Sequence, residues 1–254
     1  MFSDFDGTLA PIVLDPTRAV PPAEALRVLG ELVRWVGRVG VISGRPGAYL
    51  HEHLGGRGLH LSGLYGLETV RPDGQVTVVP EAIRWAEIVD QVASTAESPA
   101  PAGVAMGIEV ERKGLAVTLH YRRCPDLAEA AHLWAERAAR RAGLGAHTAR
   151  MAVELRPPVV TTKGTALAQA AVGLDPVCFF GDDFADLEAF DALDELAAQG
   201  VTVVRVAVAS PEGPPSLMQR ADVIADGVGS AVGLLAELLA GLQRDSGATE
   251  VQPP

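Results

Sequence analysis

The sequence is short of positive charge, with 21 lysines and arginines against 32 aspartates and glutamates and a net charge of −11. That sign is wrong for steering toward nucleic acid or anionic lipid, so an anionic ligand has to be met by a local cluster of cations. Cysteine is scarce, with only Cys124 and Cys178 in 254 residues. Two thiols without paired spacing give no disulfide framework, which fits a reducing compartment, and Cys178 in Val177-Cys178-Phe179-Phe180 reads as a buried, inert thiol. No apolar stretch reaches the roughly 18–20 residues of a membrane span. No basic region followed by an apolar one opens the chain. These absences predict a cytoplasmic chain that binds neither nucleic acid nor membrane.

Apolar residues, at 48%, are too abundant for disorder, and 254 residues suffice for one large domain or two. The first strand is expected to be short, since only Met1-Phe2-Ser3 precede the first acids; a buried parallel strand normally has more, so either this strand is clipped or the start is late. A rigid loop at 15–22 is followed by a predicted helix over 23–38, with Leu26, Leu29, Leu32, Val33 and Val36 on one face, and a strand at 40–43. A short helix at 48–54 and a strand at 59–64 follow. From about residue 79 the pattern changes to a helix over 83–96, a Pro-rich stretch at 98–102, strands at 108–112 and 115–122, a helix over 126–142 and a strand at 149–155. Helices segregated from hairpins make an α+β insert. After Pro157-Pro158 helices and strands alternate again: helix 164–172, strand 177–180, helix 184–199, strands 201–208 and 222–225, helix 229–242. The predicted fold is α/β, a Rossmann-like parallel-sheet core of residues 1–78 and 159–244 with an α+β cap of residues 79–158 and a loose tail over 245–254.

Asp4-Phe5-Asp6-Gly7-Thr8-Leu9 puts two carboxylates two apart, which on an extended strand end point to the same side. Such a pair stays ionised only with a cation or strong donors between them, and Mg²⁺ suits the place because it takes carboxylate oxygens while keeping waters and phosphate oxygens. Three further stretches follow in order: Val41-Ile42-Ser43-Gly44-Arg45, Thr162-Lys163-Gly164, and Gly181-Asp182-Asp183 with Asp186. Alone, each also fits a solvated turn, a helix cap or a solvated lysine. In a parallel sheet, however, Asp4, Ser43 and Asp182 all stand at carboxyl ends of strands, where they can converge.

Together the four stretches resemble the motifs of the haloacid dehalogenase-like phosphatase superfamily. The resemblance implies Asp4 as the nucleophile that forms an aspartyl-phosphate and Asp6 as the general acid and base. It also implies Mg²⁺ on Asp4, the Asp6 carbonyl and Asp182, with Ser43 and Lys163 on the phosphoryl group and Asp183 and Asp186 holding metal waters or Lys163 from behind. Asp183 fits equally well as a cap for the helix near Phe184.

Further stretches narrow the likeness. Ser43-Gly44-Arg45, Gly63-Leu64-Tyr65-Gly66-Leu67-Glu68, Glu111-Arg112-Lys113, His120-Tyr121-Arg122 and Glu154-Leu155-Arg156-Pro157 resemble the trehalose-6-phosphate phosphatase family over nearly the whole length. The resemblance implies a Mg²⁺-dependent hydrolase of trehalose 6-phosphate, the last step of trehalose biosynthesis, and a possible partnership with a trehalose-phosphate synthase. Glu111, Lys113, Arg122 and Glu154 on the cap, and Arg45 and Glu68 on the core, would then meet the sugar. Fixed Glu acceptors and Lys or Arg donors suit a site that must reject the wrong sugar. Tyr65 stands where the family commonly carries His, and Thr162 where it carries Asp. His120 alternates with apolar residues and reads as a packing histidine. The alternatives are a phosphatase of sucrose phosphate, mannosylglycerate phosphate or a phosphoglycerate-type ester, a mutase, and a non-catalytic partner of the synthase.

Overall fold

The computed structural model describes residues 1–13, 18–99 and 103–248. The expected loop at 15–22 and Pro-rich stretch at 98–102 lie partly outside these residues, and the chain beyond 248 lies wholly outside them. By its contacts the chain forms two compact units, Met1–Val76 with the chain from Thr162 onward, and Thr77–Thr161.

The first unit opens with β1 (Phe2–Ser3), α1 (Ala23–Leu32), β2 (Gly40–Ile42), α2 (Gly47–Leu54), β3 (His60–Gly63) and β4 (Glu68–Val70), and β5 (Val76–Val78) spans the parting point. The second unit holds α3 (Pro80–Ile83), α4 (Ala86–Ala96), β6 (Glu109–Arg112), β7 (Val117–His120), α5 (Ala128–Ala142), β8 (Gly145–Ala149) and β9 (Ala152–Arg156). The first unit resumes with α6 (Lys163–Ala170), β10 (Val177–Gly181), α7 (Asp186–Ala198), β11 (Val203–Ala209), α8 (Pro215–Arg220), β12 (Val223–Asp226) and α9 (Gly227–Ala248).

The core sheet runs β12-β11-β10-β1-β2-β3-β4-β5 and is parallel from β12 to β3, with β4 turning back antiparallel on β3. Successive residues of β2 serve opposite faces. Val41 packs with Val28 and Leu29 of α1 and Leu235 of α9, whereas Ile42 packs with Leu167 of α6 and Phe190 of α7. A sheet covered on both faces explains why these strands read as continuous apolar runs. α1 buries Ala25, Val28, Leu29 and Leu32, the spacing of one helical face, and stops at Leu32, short of the expected Arg38, where turns carry the chain back to β2.

The insert's sheet runs β6-β7-β9-β8, antiparallel throughout. Val117, Leu119, Val153 and Leu155 share a core with Val89 and Ala93 of α4 and Ala131 and Trp134 of α5. The single helix expected over 83–96 is broken at Arg84-Trp85 into α3 and α4, and the strand expected at 149–155 is a hairpin, β8 and β9, turning at Met151 with φ 51°. α9 continues through Ala248, past the point where a loose tail was expected. No helix among the described residues is long and apolar enough to cross a membrane.

Candidate active site

Asp4 follows β1 at the carboxyl edge of the parallel sheet. Its N–H donates to the Phe180 carbonyl at 2.8 Å, and its side chain is buried. Lys163 opens α6, whose start is fixed by Thr162: the Thr162 hydroxyl accepts from Thr165 N at 3.2 Å, and Thr165 Oγ1 accepts from Thr162 N at 2.9 Å. Thr thus caps this helix start, where the family commonly has Asp. The capped start aims Lys163 inward, so that its Nζ lies 2.9 Å from Asp4 Oδ1 and 2.7 Å from Asp186 Oδ1.

Asp182 follows β10, and its carboxylate lies against Gly7. A Cβ on Gly7 would stand 2.0 Å from Asp182 Oδ2, and φ +78° favours glycine there as well. Thr8 Oγ1 donates to Asp182 Oδ1 at 3.2 Å. Asp186, the first residue of α7, accepts on its other oxygen from Asp182 N at 2.8 Å and Asp183 N at 2.9 Å. Asp183 Oδ1 accepts from Ala185 N at 2.7 Å, shaping the turn into α7.

Oxygens of Asp4, Asp182 and Asp186 lie within 4.8 Å of one another. Two of these buried carboxylates, Asp4 and Asp186, hold the one ammonium. Burial pushes the Asp4 carboxyl well above its ordinary range; Lys163 opposes the shift, and Asp186, Asp182 and Asp183 add to it. Burial alone would lower Lys163, but Asp186, Asp4 and Asp183 outweigh it and hold the ammonium charged, well above its usual value. The excess negative charge and the oxygen-only donor set fit a hard divalent cation. Asp186 already spends its oxygens on Lys163 and two backbone N–H groups, so Asp4 and Asp182 are the carboxylates best placed to ligate it.

The Asp6 carboxylate does not join this cluster, contrary to the expectation that Asp4 and Asp6 point to the same side. β1 ends at Ser3, so strand alternation no longer governs the two acids. Asp6 turns instead to Arg45, accepting from Nε and Nη2, each at 2.7 Å. Arg45 is buried, with its guanidinium 4.6 Å from the Tyr49 ring centroid.

Ser43, just past β2, is buried, and its Oγ accepts from Arg45 N at 3.2 Å, which leaves the hydroxyl proton for another acceptor. The loop after β3 clamps this segment: Tyr65 N donates to Ser43 O at 2.9 Å and Leu64 N to Arg45 O at 3.0 Å. Leu64 and Tyr65 both take left-handed backbone, φ 48° and 57°, a strained pair of the kind that collects at functional sites. A Cβ on Gly44 would lie 2.5 Å from the Tyr65 hydroxyl oxygen. Glu68, expected to meet the sugar, accepts from Gly47 N at 2.5 Å at the start of α2; burial pushes its carboxyl up, and that hydrogen bond opposes the shift.

On the insert, Lys113 Nζ donates to Glu154 Oε2 at 2.9 Å and stands 3.7 Å from Glu111 Oε2. Lys113 and Lys163 are the only lysines in the chain, and each lies among carboxylates. Thr118 Oγ1 donates to Glu154 Oε2 at 2.8 Å, and His120 Nε2 lies 2.7 Å from Glu111 Oε2. Sequence reasoning missed Thr118 and took His120 for packing. The signal was available, since both alternate with Val117 and Leu119, the residues of β7 that face the helices. Arg122 does not end a strand as expected, because β7 stops at His120 and Arg122 sits in the following turn.

The family profile for trehalose-phosphatases matches residues 2–220. The trehalose-phosphate phosphatase of Mycobacterium marinum is 34% identical over 202 residues, 76% of this chain and 51% of that protein. The chain therefore spans about half the length of the curated relatives it matches. A solved structure described as a trehalose-6-phosphate phosphatase related protein, 23% identical, superposes with TM-score 0.79 over 96% of this chain and 98% of its own. A haloacid dehalogenase-like hydrolase of Bacteroides thetaiotaomicron, 14% identical, shares the fold with TM-score 0.63 over 93% and 98%. By the profile and this sequence identity, the chain belongs to the trehalose-phosphatase family.

Proposed function

We propose that this chain hydrolyses trehalose 6-phosphate to trehalose and inorganic phosphate, with residues 79–158 serving as the sugar-reading cap of a catalytic core. The observation that carries the reading is Asp4, buried and 2.9 Å from Lys163 at the carboxyl edge of a parallel sheet, in a chain of this family. The Asp4 carboxylate attacks phosphorus, forming an aspartyl-phosphate as the ester P–O bond breaks, and the departing sugar oxygen takes a proton from Asp6, which must leave one arm of the Arg45 fork to carry it. Asp6 then takes a proton from water, which attacks the acyl phosphate and frees Asp4 and phosphate. Lys163 and the Ser43 hydroxyl hold the phosphoryl oxygens as charge moves. Asp186 positions Lys163, and Thr8 positions Asp182. Mg²⁺ held by Asp4, Asp182 and the Asp6 carbonyl would supply charge compensation between anionic nucleophile and anionic ester.

The insert supports the choice of sugar. Glu154 Oε1 is buried without a hydrogen-bond partner, with Arg156 Nε 3.6 Å away. A buried acceptor left unmet is costly, and a sugar hydroxyl would meet it. Glu111, Lys113, Arg122 and Glu154 make up the proposed sugar-reading set of the insert, and Arg45 and Glu68 the set proposed on the core.

The test is phosphate release from trehalose 6-phosphate, glucose 6-phosphate, sucrose 6-phosphate and an aryl phosphate, with Mg²⁺ and with chelator. The expected result is metal-dependent release with a strong preference for trehalose 6-phosphate. Release without that preference would overturn the sugar assignment, and no release from any ester would overturn the hydrolase reading.

A further inference from the structure

We propose that Thr118 and His120, the two residues of β7 turned away from the insert's apolar core, are positioning residues that set Glu154 and Glu111 to receive the hydroxyls of a pyranose ring. The inference rests on the sugar-reading role given to the insert above.

The strand register places Thr118 opposite both Glu111 and Glu154, so one strand can serve a carboxylate on either side. Thr118 Oγ1 at 2.8 Å and Lys113 Nζ at 2.9 Å both fill Glu154 Oε2. This fixes the carboxylate and leaves its buried Oε1 as the acceptor without a donor. His120 does the same for Glu111, with Nε2 2.7 Å from Oε2. An ionised carboxylate only accepts, so Nε2 carries the proton whether the ring is neutral or charged. Lys113, within 3.7 Å of both carboxylates, adds donors between two acceptors. Acceptor, donor and acceptor along one sheet face match vicinal hydroxyls, each of which gives one proton and takes one.

The test measures KM and kcat for trehalose 6-phosphate in His120→Leu, His120→Gln and Thr118→Val, with melting temperatures alongside. His120→Leu and Thr118→Val should each raise KM roughly tenfold with little change in kcat, the loss of one hydrogen bond to a charged group. His120→Gln, close to Leu in size but able to donate from its amide, should restore KM to within about threefold of wild type. A packing role would treat Leu and Gln alike, so a Gln variant as impaired as Leu overturns the inference, as does a wild-type KM in either His120→Leu or Thr118→Val. If His120→Leu fails to fold, Thr118→Val and His120→Gln decide by the same criteria. A wild-type enzyme that favours the aryl phosphate would instead overturn the parent reading, before any variant is made.

Discussion

Arg45 grips Asp6 with a fork of two hydrogen bonds, Nε to Oδ2 and Nη2 to Oδ1, both 2.7 Å. The guanidinium is itself held over Tyr49, so the pair is fixed from behind. Lysine offers neither the fork nor the stacking. If Asp6 protonates the leaving oxygen, its loss should fall hardest on esters whose leaving group needs a proton. Asp6→Asn should lower kcat on an alkyl phosphate by about 10² or more and on an aryl phosphate by much less. Arg45→Lys should lose roughly tenfold on the alkyl ester in the same direction. Equal losses on both esters would mean that Arg45 acts elsewhere than through Asp6.

The same pair shows where reading the sequence stopped. Asp4, Ser43 and Asp182 were legible as residues that could converge because each stands at a strand end, a place fixed by local chain, whereas Lys163 was assigned only through the family resemblance. The direction of the Asp6 side chain was not legible, because it depends on Arg45, 39 residues away. Glu68 was placed near the site but not at the α2 start, since nothing local says that Gly47 N–H will be its partner. The parallel core and the α+β insert followed from hydrophobic periodicity. The break at Arg84-Trp85 and the turn at Met151 did not, because neither carries the glycine or proline that marks such a place in sequence. Thr118 and His120 showed their alternation with Val117 and Leu119 plainly, but not their partners, because Glu154 and Glu111 stand on neighbouring strands, Glu154 36 residues from Thr118.

Asp186 holds Lys163 with one oxygen and two backbone N–H groups with the other. Asp186→Asn keeps the shape but leaves the Lys163 ammonium with Asp4 alone and puts an amide N–H against a donor. Breaking a buried pair this way costs about 3–5 kcal/mol. A clear fall in melting temperature and a loss of turnover of at least 10² are expected together. A variant with wild-type melting and turnover would show that Lys163 is positioned by something else.

Gly7 lies against the Asp182 carboxylate at φ +78°, and a Cβ there would stand 2.0 Å from Oδ2. Gly7→Ala must therefore move either the turn or Asp182, and the left-handed backbone adds about 1–2 kcal/mol for a residue with a Cβ. The expected outcome is a Mg²⁺ concentration for half-maximal turnover raised at least about tenfold, read from phosphate release across a Mg²⁺ titration. An unchanged Mg²⁺ dependence would remove Asp182 from the proposed ligands.

His60 opens β3 with its ring edge-on to Phe2, centroids 6.5 Å apart. Burial, and then the nearby Arg38 guanidinium, hold its pKa below the ordinary 6.5. In the unfolded chain the imidazole takes its proton near the ordinary value, so as the pH falls the unfolded state is protonated first. The folded state is then disfavoured: stability present above about pH 6.5 is lost below it, with a limiting slope of about 1.4 kcal/mol per pH unit between the two pKa values. His60→Gln has no such proton to take up. The wild-type melting temperature should therefore fall relative to that of His60→Gln between about pH 7 and pH 5, while the gap stays constant above about pH 7.5. Taking the difference between the two proteins cancels the buried acids, Asp4, Asp186 and Glu68, whose raised pKa values act with the opposite sign. A gap that does not move with pH would mean that His60 titrates alike in the folded and unfolded chains.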